Sequence, residues 1–302
     1  MPATRIVSLI PSGTDMVAQI GLAQSVVGVS HQCDHPVAKA KPVVTSSAIP
    51  MAGDGRRGTS SPADVDRAVG RAVQAGQPLY RTDHDLLTRL APDVVLAQDV
   101  CDVCAVASDQ VRGVLPPGAE LVTLEATTLS GLEEDLVRLG KATGAEDQAA
   151  GALARMRAAL RAVGQAVGGR PRPQVLVLEW GDPPFLGGHW VPELVELAGG
   201  THLISSTGQA SRRTTYEEIV AARPQVVVFA PCGYTLAAAR EEARGLRARL
   251  SPTTELWACH ATALFSRCTP RAVVDAVRLL AGILHPAVGP SPPAGLAVRL
   301  TD

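Results

Sequence analysis

LAPDVVLAQDVC, residues 90–101, and AARPQVVVFAPC, residues 221–232, follow one plan. In each, a helical pattern stops, a proline follows, a short apolar run comes next, and a cysteine stands just past it. Proline cannot continue a helix, and it pushes the residue before it toward extended backbone. A short Val-rich run bounded by turn residues reads as a strand buried on both faces, as in parallel sheets. The plan predicts a buried strand that delivers polar side chains at its carboxyl end, where open parallel sheets bind ligands. Its repetition predicts two lobes of similar topology.

Working outward, further runs rich in Val, Ile and Leu read as strands: Ile6–Ile10, Val26–Val29, Val94–Ala97, Leu121–Leu124, Val175–Leu178 and Val226–Ala230. Helical patterns lie between most of them, which argues for the α/β class. A second echo pairs RIVSLIPSGTDMVAQIG (5–21) with QVLVLEWGDPPF (174–185) and the following WVPELVELAGG (190–200). Each is a strand, a Pro-containing loop and an amphipathic helix. Between the lobes, Leu153, Met156, Leu160, Val163 and Val167 recur at helical spacing until Gly168 and Gly169. This segment reads as one long helix joining two lobes; a crossover helix inside one domain has the same pattern. The division expected is 1–145 for the first lobe, 146–170 for the bridging helix, 171–286 for the second lobe and 287–302 for a tail.

The chain has 302 residues, 46% of them hydrophobic, so a sizeable core is available. A formal net charge of -1, with no run of Lys or Arg, leaves no electrostatic footprint for nucleic acid. No apolar stretch reaches the roughly 18 residues that cross a bilayer. The amino terminus lacks the pattern of a secretory signal, so the expected location is cytoplasmic. In a reducing compartment the six cysteines are not a disulfide framework. Metal binding, catalysis and packing remain.

Placement at strand ends selects among them. Cys33 follows the Val26–Val29 run, Cys101 and Cys104 form a C-x-x-C after Val94–Ala97, and Cys232 follows Val226–Ala230. Four soft thiolates fit an iron–sulfur cluster or zinc. Single cysteines past strands also pack as small apolar residues. Cys259 and Cys268 lack the placement and read as structural. His31 and His35 flank Cys33, and Glu179, Trp180 and Asp182 follow Val175–Leu178. His31, Glu179 and His189 are the candidate proton-transfer residues. Ser12 or Thr14 reads as the cap of the first helix, and Arg212 and Arg213 as a solvated pair or an anion contact. The chain has no G-x-S-x-G elbow, Walker loop, strand-borne G-x-G-x-x-G or H-E-x-x-H.

IVSLIPSGTDMVAQIGL, VVGVSHQCDHP, PDVVLAQDVCDVCAV, LEWGDPPFLGGHWVPELVELAGG and PCGY together resemble the cobalamin-binding type (class III) of ABC-importer solute-binding proteins. They are most similar to the branch that lacks a signal peptide. The likeness spans roughly residues 5 to 286. It implies two Rossmann-like α/β lobes joined by a single long helix, with a small-molecule ligand in the cleft between them. Secreted members hold cobalamin with aromatic side chains, and Tyr80, Trp180 and Trp190 are the positions here that could do so. The branch pattern also carries His31, Cys33 and Asp34, Cys101 and Cys104, and Pro231, Cys232 and Gly233, a cysteine set that periplasmic cobalamin binders generally lack.

Two functional expectations follow. In the first, Cys33, Cys101, Cys104 and Cys232 hold a metal cofactor, a 4Fe-4S cluster or else zinc, in a protein that acts on a small molecule. In the second, the chain is a non-catalytic carrier of cobalamin or another tetrapyrrole.

Overall fold

The structure, a computed structural model, describes residues 4–48, 62–99, 108–289 and 295–301. The chain divides into two compact units. The first comprises Met1–Ala126 with Ser130–Leu153, and the second Thr127–Leu129 with Ala154–Asp302.

In chain order the first part runs β1 (Ile6–Ser8), α1 (Pro11–Gln19), β2 (Val26–Val29), β3 (Thr45–Ser47), α2 (Pro62–Gln74), β4 (Tyr80–Thr82), α3 (His84–Leu90), β5 (Val94–Gln98), α4 (Ser108–Arg112), β6 (Glu120–Leu124) and α5 (Leu129–Thr143). Strands β2, β1, β5 and β6 lie side by side in that order, all parallel. Strands β3 and β4 form a separate antiparallel ribbon that the sequence pattern does not show. Ile6, Val7 and Ser8 of β1 are buried, as are Val94–Ala97 of β5, so both strands are covered on both faces. Helix α1 starts differently from the expectation. Ile10 is its extended cap residue and makes no side-chain bond, while Pro11 takes the first helical position. Proline's fixed φ suits that position, so Ser12 and Thr14 lie inside the first turn rather than capping it.

Helix α6 (Glu146–Val167) carries the expected stripe: Leu153, Met156, Val163 and Val167 are buried and Leu160 is partly so. The division between the two units falls inside it, between Leu153 and Ala154. Thus one long helix, 22 residues, joins the two α/β lobes.

The second part continues with β7 (Gln174–Gly181), β8 (Pro184–Leu186), α7 (Val191–Leu197), β9 (Thr201–His202), β10 (Arg212–Arg213), α8 (Tyr216–Ala221), β11 (Val226–Phe229), α9 (Leu236–Arg247), β12 (Glu255–Cys259), α10 (Ala261–Leu264), α11 (Pro270–Leu284) and β13 (Ala297–Leu300). The sheet order is β10-β8-β7-β11-β12-β13, with β9 also on β7. Strands β7, β11 and β12 are parallel, while β8, β10 and β13 pair antiparallel. The stretch expected as a tail is therefore partly a sheet strand: β13 pairs with β12 from Leu256↔Leu300 to Cys259↔Ala297. Cys259 ends β12, fully buried, and burial raises its thiol pKa. Among the described residues no helix is long and apolar enough to cross a membrane.

The two echoed stretches repeat down to backbone detail. Ala91 and Arg223, each just before the proline, both take a left-handed turn, at φ 42° and 51°. Asp93 and Gln225 then play the same part. The Asp93 carboxylate accepts from Arg5 N at 2.7 Å, and the Gln225 side-chain oxygen accepts from Gln174 N at 2.9 Å. Their own backbones bond Arg5 O and Gln174 O. Each side chain thus ties the start of one central strand, β5 or β11, to the start of the neighbouring β1 or β7.

Two groups, buried Asp135 and partly buried His202, titrate in opposite senses. Asp135 of α5 accepts from Glu125 N and Ala126 N and pairs with Arg138, holding the carboxyl end of β6. Burial outweighs those donors and pushes its carboxyl from 3.8 up to about 6. Because its native pKa is raised, its effect on stability improves as pH falls through 6. His202 on β9 is the reverse. Ser205 Oγ donates to Gly187 O at 2.8 Å, so it can only accept from His202 Nδ1, 3.0 Å away. Burial lowers the His202 pKa from 6.5 to about 4. Its stabilising contribution is complete above pH 6.5 and is lost as pH falls toward 4.

Two outcomes are expected. Asp93→Ala and Gln225→Ala should each lower stability by about 1 kcal/mol in urea unfolding, the usual worth of one such bond; no change in either would mean the strand-start bonds hold nothing. On acidification from pH 6.5 to 4, His202 should remove up to about 3 kcal/mol. His202→Asn, which keeps a donor toward Ser205, should lose correspondingly less than wild type, and an equal loss would contradict the assignment.

Candidate functional site

In the first unit the loop after β2 carries the candidate side chains. Its turn is closed by Cys33 N bonding Ser30 O at 3.0 Å. The His31 imidazole is fixed by the ribbon: Nδ1 lies 2.7 Å from Thr45 Oγ1, and the His31 backbone N–H donates to the same oxygen at 3.0 Å. Ser30 Oγ lies 3.3 Å from Thr45 Oγ1 and accepts from Gln32 N. Thr45 and Ser30 are themselves buried. Tyr80, on the paired strand β4, sits with its ring 5.7 Å from the imidazole and tilted by 45°. Burial lowers the His31 pKa, so the ring is neutral near pH 7. Cys33 is half-buried. His35 does not join the group as a ligand; its Nδ1 accepts from Val37 N and caps the next short turn.

In the second unit β7 is irregular at Glu179, where its pairing with β8 shifts between Leu178 and Trp180. The Glu179 carboxylate accepts from Ser211 Oγ at 2.6 Å, and Ser211 Oγ accepts from Gly188 N at 3.2 Å. That chain pins the Gly187–Trp190 loop to β7. Gly188 cannot carry a side chain, because a Cβ there would lie 2.4 Å from Ser211 N and 2.5 Å from Gln209 O. His189 follows at φ 51°, its N–H donating to Gln209 O at 2.6 Å. Its ring stacks on Trp190 with centroids 5.9 Å apart and planes 29° apart. His189 Nδ1 and Trp190 Nε1 are buried and have no hydrogen-bond partner. Burial lowers the His189 pKa as well. A buried polar atom without a partner calls for a bound water or ligand.

The remaining candidates are placed otherwise. Trp180 packs on its own unit's core, edge-on to Tyr234 at 5.7 Å, and its Nε1 donates to Asp182 O. Cys232, half-buried, follows β11 and bonds Glu179 O through its backbone N at 3.2 Å. Arg212 is held by Glu218, and Arg213 lies over the Phe185 ring, so neither is a bare anion contact. A surface cavity lined by Tyr216, Glu217, Val220 and Arg249 has its aromatic face covered, since the Arg249 guanidinium sits 4.8 Å from the Tyr216 ring centre.

Of the four expected thiolates, Cys33 belongs to the first unit and Cys232 to the second, while Cys101 and Cys104 lie outside the described residues. Among the described residues no three His, Cys, Asp or Glu side chains come together to hold a metal ion. The sequence reading missed Thr45, Ser30 and Ser211. Ser30 lies within VVGVSHQCDHP while Thr45 and Ser211 lie in no motif, and each matters only through a partner distant in the chain or through a backbone turn.

The family model for periplasmic binding proteins matches residues 6–246. No curated protein sequence matches the chain. Among solved structures, a periplasmic heme-binding protein from Pseudomonas aeruginosa is 20% identical, with TM-score 0.70 over 99% of this chain and 98% of that one. The periplasmic vitamin B12-binding protein BtuF of Vibrio cholerae is 20% identical, with TM-score 0.65 over 94% and 97%. The periplasmic heme-binding protein HutB of Vibrio cholerae is 18% identical, with TM-score 0.65 over 94% and 99%. At these identities the structural likeness speaks to the fold. The match over 6–246 speaks to descent, and the chain belongs to the periplasmic binding protein family.

Proposed function

We propose that this solute-binding protein carries a metal tetrapyrrole, a haem or a corrinoid, and binds it without transforming it. One observation carries the reading. In each unit a neutral imidazole is paired with an aromatic ring on a loop or ribbon beside the sheet, His31 with Tyr80 and His189 with Trp190. Aromatic faces suit a wide conjugated ligand, and imidazoles suit its metal or its polar rim. Solved proteins of this fold that are described as binding haem or vitamin B12 support the ligand class. Glu179, taken up by Ser211 and the Gly188 loop, then serves to hold that loop in place.

Titration with ferric protoporphyrin IX and with hydroxocobalamin tests this. At least one should bind in a single site at micromolar Kd or tighter and quench tryptophan fluorescence. Trp190→Ala should weaken it about three- to tenfold, the worth of one aromatic contact, and Tyr80→Ala should weaken it by loosening the His31 ring that Tyr80 packs against. The double change Cys101→Ser, Cys104→Ser should leave affinity within about twofold. If neither compound binds at about 100 μM, and protein purified under nitrogen carries iron and sulfide, then a centre on Cys33, Cys101, Cys104 and Cys232 takes the place of this reading.

A further inference from the structure

The fixed element of the first unit is the His31 ring, and the way it is fixed leaves one atom available. Nδ1 and the backbone N–H of His31 both meet Thr45 Oγ1, at 2.7 and 3.0 Å. No described residue hydrogen-bonds Nε2. Thr45 Oγ1 donates its one proton to Ser30 Oγ at 3.3 Å, so toward the imidazole it accepts, and His31 Nδ1 is the donor. This tautomer leaves a bare lone pair on Nε2 and gives Nδ1 the hydrogen-bonded partner that metal-bound histidines generally have. We propose that Nε2 of His31 is an axial ligand to the metal of the bound tetrapyrrole, which deepens, and rests on, the ligand class proposed above.

The geometry also reassigns Tyr80. An axial bond lies in the plane of the imidazole, and the macrocycle lies perpendicular to that bond. The Tyr80 ring is tilted 45° from the imidazole plane, so it makes at least 45° with any macrocycle His31 coordinates. Tyr80 therefore packs against the ligating ring and does not lie flat on the ligand. Both groups that orient His31 come from one ribbon, since Thr45 pairs with Thr82 and Ser47 with Tyr80. The ribbon is in turn tied to the end of β2 by Val44 N bonding Val29 O at 2.9 Å. This gives the β3–β4 ribbon a purpose: it aims one nitrogen.

Cobinamide, a corrinoid without its own nucleotide base, isolates the protein's contribution. In the Co(II) form bound to the wild-type chain, electron paramagnetic resonance should show each resolved cobalt line split into triplets by one axial 14N. The triplets should become doublets when histidine is labelled with 15N. His31→Gln should lose the splitting, and imidazole added to His31→Gly should restore it, which shows that the variant still folds. Thr45→Val should keep the splitting while weakening affinity about tenfold, as loss of such a supporting partner does. Bound cobinamide with no nitrogen splitting, or splitting that survives in His31→Gln, overturns the axial role alone. Failure of both cobinamide and ferric protoporphyrin IX to bind overturns the ligand class, and this proposal with it.

Discussion

Everything in this molecule hangs on two pairs of parallel strands whose central members are buried on both faces. Val94–Ala97 of β5, Ile6–Ser8 of β1, Val226–Phe229 of β11 and Val175–Leu178 of β7 are buried, and the side chains left for chemistry stand at the strand ends. What these strands offer is a rigid floor whose register is locked at one end and whose loops emerge at the other. The lock is polar and local, Asp93 on Arg5 N and Gln225 on Gln174 N. A one-residue slip would break that bond and displace every loop at the opposite end. The position of the site is thus set by contacts made at the strand starts, well away from it in the chain.

Upon that floor, each unit uses a different device to hold an imidazole. In the first, two hydroxyls and a tyrosine orient His31 from a separate ribbon. In the second, a carboxylate, a serine and an obligatory glycine fold the loop so tightly that His189 takes a left-handed backbone and stacks on Trp190. Burial keeps both rings neutral. His189 Nδ1 and Trp190 Nε1 are buried without a hydrogen-bond partner, and the ligand proposed above would supply the missing partners.

The α/β class, the two lobes, the joining helix and the echo were legible in the sequence because they rest on local periodicity and on proline. The echo went further than the pattern required, reaching the positive φ of Ala91 and Arg223. Where local rules competed, the reading failed: Ser12 and Thr14 are good caps, yet Pro11 takes the helix start. Where structure comes from a distant partner, there was no signal. Ala297–Leu300 follows a Pro- and Gly-rich stretch and becomes a strand only because β12 offers an edge. Thr45 lies in a short polar strand and acquires meaning only when β4 and His31 meet it. The strand-end cysteines illustrate the same limit. Cys33 and Cys232 follow their strands as the pattern expects, and Cys101 and Cys104 lie outside the described residues, but whether thiols gather at one centre is a three-dimensional property that spacing cannot encode.

Hydrogen–deuterium exchange of the whole chain, with and without the tetrapyrrole that binds it, tests the central claim most directly. The account predicts slowed exchange concentrated at 30–33, 44–47, 80–82 and 187–190, the loops and ribbon that hold the two imidazoles, with the strand starts near Arg5 and Gln174 unchanged. Protection absent from both imidazole loops, or confined to segments outside them, would contradict it.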